Sequence, residues 1–306
     1  MPSFGKKIAF GLVSLLIVIS FCFTPDKSLE SLKATYAPTP SQFIKLDGRQ
    51  IHFRDEGSGE VIILIHGTGA SLHTWDAWTA QLKANYRVIR FDLPAYGLTG
   101  PDMQKRYAVS DYVALLEALT HEWELDSFYL GGNSLGGQVA WQYAAQYSNK
   151  VKKLILLNAA GFPSKKSPWV IQLARTPLLN LFVRYCTPKS FIEKNLKEVY
   201  FDDQAITDAT IDRYYDLALL SGNRQAFIDR SYLKSEDATS LLPSIRSPTL
   251  ILWGAEDAWI PVENAQKFLQ LIPNAEVKII PNTGHIPMEE RPVASLKWVK
   301  DFLDKE

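Results

Sequence analysis

The sequence predicts an α/β protein with a mainly parallel central sheet, and three observations lead to this fold class. Apolar runs of strand length recur between stretches of helical periodicity, a β-like pair of segments precedes them, and one long helical segment interrupts their order. Repeating β and α units place strands side by side in parallel with helices on the faces of the sheet. The composition, 46% hydrophobic and 22% charged over 306 residues, is that of a folded globular protein with a large core.

The β-like segments follow one another in a definite order. Residues 43–57 alternate around the dipeptide Asp47-Gly48, which is typical of a hairpin turn. The apolar runs that follow are of the kind that is buried on both faces of a parallel sheet: VIILIHG, YRVIRFDLP, FYLGGN, KKLILLNAAG, TLILWG and EVKIIPNTG. The predicted sheet therefore begins with an antiparallel hairpin and continues with parallel strands.

Helical segments lie between these runs. The helix after FYLGGN carries Gly136, Ala140 and Ala144 at intervals of four, a stripe of small residues that allows a helix to lie close against a sheet. Residues 162–243 show helical periodicity without a convincing strand, which predicts an inserted helical cap. We therefore expect an N-terminal segment, residues 1–42, followed by one domain, residues 43–306, that carries this cap.

The N-terminal segment has the composition of a targeting sequence. Residues 8–23 are apolar and uncharged, Lys6 and Lys7 precede them, and a polar stretch with prolines, expected to be a linker, follows. The two lysines favour an N-terminus in the cytoplasm and a catalytic domain outside it. We expect a signal anchor that holds an extracytoplasmic domain at the membrane; a cleaved signal, with a secreted or periplasmic product, is the alternative.

Charge and cysteine content exclude several function classes. Lys plus Arg and Asp plus Glu both number 33, so the formal net charge is zero and the chain has no electrostatic footprint for nucleic acid. Cys22 and Cys186 are the only cysteines, and without a CxxC spacing they predict neither a disulfide framework nor a zinc cluster. The five histidines form no metal-binding motif. We expect no metal and no cofactor.

The stretch GGNSLGGQVAW, residues 131–141, places Ser134 between a buried strand and a helix. This is the strand–turn–helix setting of a nucleophile elbow, in which a strained turn projects the hydroxyl above the sheet. The N–H of Leu135, at the start of the helix, then points at the group that the serine attacks. HGTGAS follows another strand, and the N–H of Thr68, or alternatively that of Gly69, would complete an oxyanion hole.

A serine nucleophile needs a base and a third group that orients the base. His285 follows the last predicted strand and Asp257 follows the strand before it, so both lie at strand carboxyl ends, where α/β sheets place their sites. The order Ser134, Asp257, His285 is one that known triads use. Glu256 is a second candidate for the acid, although its longer side chain would have to fold back.

Two other polar residues at strand ends are assigned structural roles. Asp92 ends an earlier strand, and we expect it to be solvated or to cap a turn. We expect His66 to stabilise its own loop. The remaining histidines, His52, His73 and His121, have no partner spacing and receive no role.

Taken together, the motifs HGTGAS, DLPAYGLTG, GNSLGG, WGAEDAWIP and GHIPMEERP resemble, in this order, those of the α/β-hydrolase fold family. The resemblance covers residues 43–161 and 244–306, and the helical insertion stands where that family has its cap. The chain is most similar to single-domain bacterial lipases and carboxylesterases, and next to carbon–carbon bond hydrolases. Ala95 stands where the family often has glycine. Dehalogenases and epoxide hydrolases place aspartate at the elbow, so Ser134 argues against both.

The triad and the resemblance predict serine-dependent hydrolysis of carboxylic esters through an acyl-enzyme. We expect a small, neutral and apolar ester with a medium acyl chain, because residues 168–185 of the cap are rich in apolar side chains and the chain has no net charge. Three alternatives stay open: hydrolysis of a carbon–carbon or amide bond by the same triad, a haloperoxidase-like side activity that some serine members show, and ligand binding without turnover.

Overall fold

The computed structural model describes residues 22–163, 167–234 and 237–305. Its centre is an eight-stranded sheet. The strands are β1 (Ser41–Leu46), β2 (Arg49–Glu56), β3 (Glu60–Ile65), β4 (Tyr86–Phe91), β5 (Phe128–Asn133), β6 (Val151–Leu157), β7 (Thr249–Gly254) and β8 (Ala275–Ile280). Their order in the sheet is β1-β2-β4-β3-β5-β6-β7-β8. The pairs β1·β2 and β2·β4 are antiparallel and all other neighbours are parallel, so the predicted fold class is confirmed.

The β1–β2 hairpin turns at the predicted dipeptide. Leu46 pairs with Arg49, so Asp47 and Gly48 alone make the turn. Their φ angles of 49° and 78° are both left-handed. Two such residues in succession define a type I′ turn, whose twist matches that of the paired strands. The apolar runs that follow the hairpin in the sequence form β3 to β8.

Helices pack on both faces of the sheet. Trp141 and Phe268 belong to the core on one face, and Trp78 and Val299 belong to the core on the other. These side chains are fully buried or nearly so, so both faces of the parallel strands are covered, as their apolar sequences require. The helices outside the cap are α1 (Leu29–Tyr36), α2 (Asp76–Leu82), α3 (Val109–Glu122), α4 (Leu135–Gln146), α10 (Glu263–Leu271), α11 (Pro287–Glu290) and α12 (Pro292–Leu303).

Between β6 and β7, the described residues form helices and no strand of the sheet. Residues 164–166 and 235–236 of the predicted cap lie outside the described ranges. The cap helices are α5 (Trp169–Arg175), α6 (Asn180–Tyr185), α7 (Lys189–Val199), α8 (Asp208–Ala218) and α9 (Asn223–Ser231), with 3₁₀ turns at Asp203–Ala205 and Thr239–Ser244. Side chains from this layer and from the loops at the carboxyl ends of the strands line a common cavity, so the cap covers the edge of the sheet at which the predicted site residues lie.

The stretch expected to be a linker instead folds onto the cap. Helix α1 begins after Ser28, whose Oγ accepts a hydrogen bond from the N–H of Ser31 at 3.2 Å. Leu32 is buried in a small cluster with Leu217 of the cap, and Lys27 Nζ lies 2.6 Å from Asp216 Oδ1. The composition of this stretch indicated a linker. The contacts that stabilise its folded form could not be predicted from that composition, because they come from residues nearly two hundred positions away in the sequence.

Cys22 and Cys186 form a disulfide, which corrects the expectation that they form no such bond. The bond closes a loop with a sequence separation of 164 residues. Beside it, the N–H of Thr24 donates to the carbonyl oxygen of Tyr185 at 2.7 Å. Local spacing, on which the expectation rested, carries no information on two segments that meet only in the folded chain.

The predicted membrane segment, residues 8–23, falls almost wholly outside the described residues, which begin at Cys22. Within the described ranges, no helix is both long enough and apolar enough to cross a bilayer. The membrane interpretation of this segment therefore stays a prediction.

Candidate active site

Ser134 occupies the tight turn between β5 and α4. Its φ of 53° and ψ of −115° lie in a region that an L-residue adopts only at a cost in energy. A Cβ at position 132 would lie 2.2 Å from the carbonyl oxygen of Gly136, and a Cβ at position 136 would lie 2.2 Å from that of Ile65. The turn thus admits no side chain at Gly132 or Gly136. The backbone has the strand–turn–helix geometry that the sequence predicts for a nucleophile elbow.

His285 and Asp257 are joined by a hydrogen bond. His285 Nδ1 lies 2.7 Å from Asp257 Oδ2, and the two side chains are 3% and 0% exposed. Asp257 Oδ1 also accepts the N–H groups of Trp259 and Ile260 at 2.8 and 2.9 Å, and Asn158 Nδ2 donates to Oδ2 at 2.7 Å. These donors fix the carboxylate. With the Nδ1 proton directed at Asp257, His285 Nε2 is the ring atom that can accept a proton.

Glu256, the alternative acid, has a different partner. Its Oε2 accepts the N–H of Thr283 at 2.8 Å, and its own N–H donates to the carbonyl oxygen of Thr283 at 3.0 Å. Glu256 therefore holds the loop that leads to His285. Of the two acids that the sequence left open, the structure brings Asp257 to the imidazole.

Asn133 ties the serine turn to the histidine loop. Its Nδ2 donates to the carbonyl oxygen of His285 at 2.9 Å. Over the described part of the chain, His285 Nε2 is buried and has no hydrogen-bond partner, so it is not bonded to Ser134 Oγ. A general base often gains its bond to the nucleophile only when the substrate binds. The assignment of this unpartnered nitrogen as the base, and with it the full triad, stays a prediction.

The HGTG loop lies against the elbow. A Cβ at Gly67 would come within 3.1 Å of Ser134 Cβ. Thr68 and Gly69 both line the cavity above this loop. The backbone N–H of either residue therefore stays a candidate for the oxyanion donor that this loop would supply. Leu135 is the first residue of α4, and an N–H at that position has no acceptor within its helix. The role of these amides as oxyanion donors stays a prediction.

Asp92 supports the loops next to the site. Its Oδ1 accepts the N–H of Leu72, and its Oδ2 accepts the N–H of Leu98, each at 2.7 Å. His52 Nδ1 lies 2.7 Å from the same Oδ2. Burial alone would raise the pKa of Asp92, but the adjacent His52 holds this pKa far below its ordinary value. The turn-capping role is therefore confirmed and the solvated one is wrong, because Asp92 is fully buried.

The pairing of His52 with Asp92 was missed by sequence reasoning. His52 lies in β2, and its carbonyl oxygen accepts the N–H of Asp92 at 2.9 Å, next to the β2·β4 ladder. No local spacing reports this pair, since 40 residues separate the two positions. A correct pairing of β2 with β4 is the signal that would have found it.

His66 stabilises its own loop, as predicted. Burial lowers its pKa, which keeps the ring neutral. Its Nδ1 lies 2.7 Å from the carbonyl oxygen of Gly67, and Leu93 N–H donates to its Nε2 at 2.9 Å. A neutral ring with the proton on Nδ1 satisfies both bonds and fixes the start of the HGTG loop.

An apolar cavity lies between the cap and the strand ends. Cap side chains that line it include Val170, Leu173, Val183, Phe191, Ile192 and Phe227, and Thr68, Gly69 and Trp259 line it from the side of the elbow. Hydroxyl, amide and guanidinium groups in the lining belong to Thr68, Tyr96, Thr187, Asn195, Tyr214, Asn223 and Arg224. Asn195 Oδ1 is buried without a partner over the described residues, and Arg224 Nη2 donates to Asp26 Oδ1 at 2.7 Å. The surface that the lining exposes to the cavity is mainly apolar. The cavity is therefore suited to an apolar ligand with a small polar part.

Residues 168–185 divide between this cavity and solvent. Val170, Leu173 and Val183 line the cavity, which supports the expectation that part of this stretch faces a ligand. Leu178 and Leu179 are exposed instead. The sequence showed the apolar content of this stretch but not which side chains turn inward, because α5 and α6 are too short for a clear periodicity.

A sequence model described as the alpha/beta hydrolase fold matches residues 60–292. The chain belongs to this family. The fold and the position of the elbow agree with the match, and the chain is accordingly a hydrolase of the alpha/beta hydrolase fold.

The relatives of this hydrolase act on more than one kind of bond. The chain is 26% identical over 267 residues to the 2-hydroxy-6-oxo-2,4-heptadienoate hydrolase of Pseudomonas putida. The aligned region covers 85% of this chain and 94% of that protein. Among solved structures, it is similar to a bacterial membrane phospholipase A, at 28% identity and a TM-score of 0.76 over 98% of both chains. A putative lipase of Acinetobacter baumannii has 27% identity and a TM-score of 0.75 over 92% of this chain and 97% of that one. Membership of the family therefore does not select the bond that is cleaved.

Proposed function

We propose that this hydrolase cleaves neutral carboxylic esters with medium acyl chains through an acyl-enzyme on Ser134. The apolar cavity beside the elbow carries this proposal, because it offers an acyl chain a mainly apolar lining of cap side chains. Each methylene that is buried there contributes about 0.8 kcal/mol, or roughly fourfold in binding. Longer acyl chains are therefore favoured until the cavity is full.

The residues at the elbow supply the steps of the reaction. Ser134 Oγ attacks the acyl carbon while His285 Nε2 takes its proton, and the amides of Leu135 and Thr68 stabilise the oxyanion. Asp257 stabilises the imidazolium that forms. His285 then donates the proton to the leaving alcohol. Water, with His285 as its base, attacks the acyl-enzyme and releases the carboxylic acid and the serine.

The charges around the cavity favour an ester over a dienoate. A 2-hydroxy-6-oxo-dienoate carries a carboxylate, and burying a carboxylate requires a cation or several strong donors. Among the described lining residues, Arg224 is the one with a charged side chain, and Asp26 already neutralises it at 2.7 Å. A neutral ester needs no such partner, and the orphan Oδ1 of Asn195 can accept a hydrogen bond from a polar group of the alcohol part.

We expect kcat/KM for p-nitrophenyl esters to rise from acetate through butyrate to octanoate, by up to about fourfold per methylene. The replacement Val183→Trp places an indole in the cavity and should reduce activity on octanoate at least about tenfold while leaving acetate within about twofold, since a few methylenes lose their site. Steady-state kinetics across the ester series measures both effects.

The matched control is Gln172→Trp, which adds the same indole at an exposed position of the neighbouring helix α5. It should leave the chain-length profile unchanged. A flat profile in the unmodified protein, or the same profile in Val183→Trp, would show that the cavity does not hold the acyl chain.

We also propose that the catalytic domain lies outside the cytoplasm and is held at the membrane by the predicted segment 8–23. The membrane part is shortened to residues 8–21, because Cys22 and Phe23 contact Cys186 and Tyr185 of the cap. The apolar run with Lys6 and Lys7 before it supports this orientation. The disulfide between Cys22 and Cys186 supports it independently, because disulfides persist in oxidising compartments. A membrane-impermeant amine reagent added to intact spheroplasts should label the lysines of the domain. Labelling only after lysis would place the domain in the cytoplasm.

A further inference from the structure

The outer side of the cap carries an apolar patch that faces solvent. Leu178 and Leu179, in the turn between α5 and α6, are 56% and 44% exposed, and Tyr232 and Leu233, just after α9, are 49% and 40% exposed. Asn180 Nδ2 donates to the hydroxyl of Tyr232 at 3.2 Å, so the two pairs lie side by side. We name Leu178, Leu179, Tyr232 and Leu233 the cap patch. Neighbouring exposed side chains of this size indicate a docking surface.

The packing of the cap does not need these side chains. Val183 of α6 and Ile228 of α9 are buried together with Ala174 of α5, which gives the three helices a small core of their own. Leu173, Val183 and Phe227 of the same helices line the cavity. The helices that flank the cap patch therefore already have a packed side and a ligand-facing side, and the patch is additional to both.

The chain enters the described structure close to the cap patch. Cys22 is bonded to Cys186, the residue that follows α6, and Phe23, 57% exposed, stacks on Tyr185 at 6.5 Å between ring centroids. Helix α6 is short, about 9 Å at the rise of an α-helix, and the cap patch lies at its other end. The apolar residues 8–21 therefore join the protein about one short helix away from the patch.

Two basic side chains adjoin the cap patch. Arg175 and Lys234 are exposed; Arg175 Nε donates to the carbonyl oxygen of Ser231, the residue before Tyr232, and Lys234 follows Leu233 directly. The carboxylate of Asp229 on α9 is paired with Lys105 at 3.0 Å. Basic side chains beside large apolar ones are typical of surfaces that lie in a membrane interface, where the cations are attracted to anionic lipid.

We propose that the cap patch inserts into the bilayer that holds residues 8–21, so that the cap rests on the lipid surface. This inference rests on the proposed membrane segment, which brings the bilayer to the cap patch. It also rests on the proposed function, and it makes the substrate an ester dissolved in the bilayer. The three helices that carry the patch or adjoin it also line the cavity. A lipid ester would then reach the cavity across a single layer of helices, without passing through water.

The test uses the full chain in vesicles of phosphatidylcholine and phosphatidylglycerol. Because the native cysteines form a disulfide, a cysteine introduced by Leu179→Cys can be labelled with an environment-sensitive nitrobenzoxadiazole dye. Insertion into the bilayer should shift the emission of this dye to the blue, and nitroxide groups on the lipid acyl chains should quench it strongly. The control is Asn149→Cys, an exposed position in the turn before β6 at the opposite edge of the sheet, where the same dye should be unaffected.

Equal fluorescence at the two positions with and without nitroxide lipid would overturn the docking of the patch. A blue shift at position 179 without quenching would overturn it as well, because the patch would then contact protein, such as a second copy. Quenching at 179 in a protein that hydrolyses no ester would refute the proposed function and leave the docking intact. Ester hydrolysis without quenching at position 179 would refute the docking of the patch and leave the proposed function intact.

A double variant, Leu179→Ser with Leu233→Ser, tests the consequence for the substrate. Both side chains are exposed, so kcat/KM for water-soluble p-nitrophenyl butyrate should stay within about twofold, as exposed substitutions have small effects. Hydrolysis of a long-chain ester presented in vesicles should fall at least about tenfold, since two inserted side chains are lost. Equal effects on both substrates would contradict delivery from the bilayer.

Discussion

Replacing Ser134 with alanine should abolish ester hydrolysis, with a fall in kcat on the order of 10⁶-fold. The variant removes the only atom that can carry the acyl group in the proposed reaction, while the small side chain still fits the strained turn between β5 and α4. The oxyanion amides remain, so a residual rate of roughly 10³-fold over water is expected. Hydrolysis of p-nitrophenyl octanoate measures the loss.

Covalent labelling provides a second measurement of the same prediction. A fluorophosphonate should add its mass once to the unmodified protein, on the peptide that contains Ser134, and should not label Ser134→Ala. The matched control is Ser190→Ala, at an exposed position of the cap, which should be labelled and active like the unmodified protein. Labelling of Ser134→Ala on another residue would reject Ser134 as the nucleophile.

Replacing Asp257 with asparagine should lower kcat on the order of 10⁴-fold. The carboxylate accepts the Nδ1 proton of His285 at 2.7 Å. An amide that retained the bonds from Trp259 and Ile260 would direct its NH₂ group at the imidazole. The proton would then move to Nε2, and the ring could no longer act as a base toward the serine.

Glu256→Gln is the control for this variant because it makes the same change at the adjacent residue. The side-chain oxygen of glutamine can still accept the N–H of Thr283, the bond that Glu256 makes, so activity should change less than about tenfold. Thermal unfolding should show both variants folded. A large loss in Glu256→Gln together with a small one in Asp257→Asn would move the acid to Glu256.

The strands and the elbow could be predicted because their sequences are constrained locally. The run at β3 must be apolar on both faces, and the turn at Ser134 excludes side chains at Gly132 and Gly136 by backbone contacts of 2.2 Å. Asp257 and His285 could be selected because each follows a strand of the sheet, at the edge where the carboxyl ends of parallel strands meet.

The parts that sequence reasoning missed depend on contacts between distant segments. The disulfide of Cys22 with Cys186 and the buried pair of His52 with Asp92 both form only once the chain is folded. Helix α1 was expected to be a linker because its contacts with the cap leave no trace in its own composition. The exposure of Leu179 belongs to the same class, since apolar content alone does not report which side chains of a short turn face solvent.

The choice between an ester and a carbon–carbon bond is tested most directly by offering one protein both substrates. We expect p-nitrophenyl octanoate to be hydrolysed with a kcat/KM at least on the order of 100-fold above that for 2-hydroxy-6-oxo-6-phenylhexa-2,4-dienoate, whose carboxylate would be buried without a free cation. Ser134→Ala, assayed in parallel, should lose the ester activity. Turnover of the dienoate as fast as, or faster than, the ester and dependent on Ser134 would show that the cavity accepts the charged substrate and would contradict the proposed ester specificity.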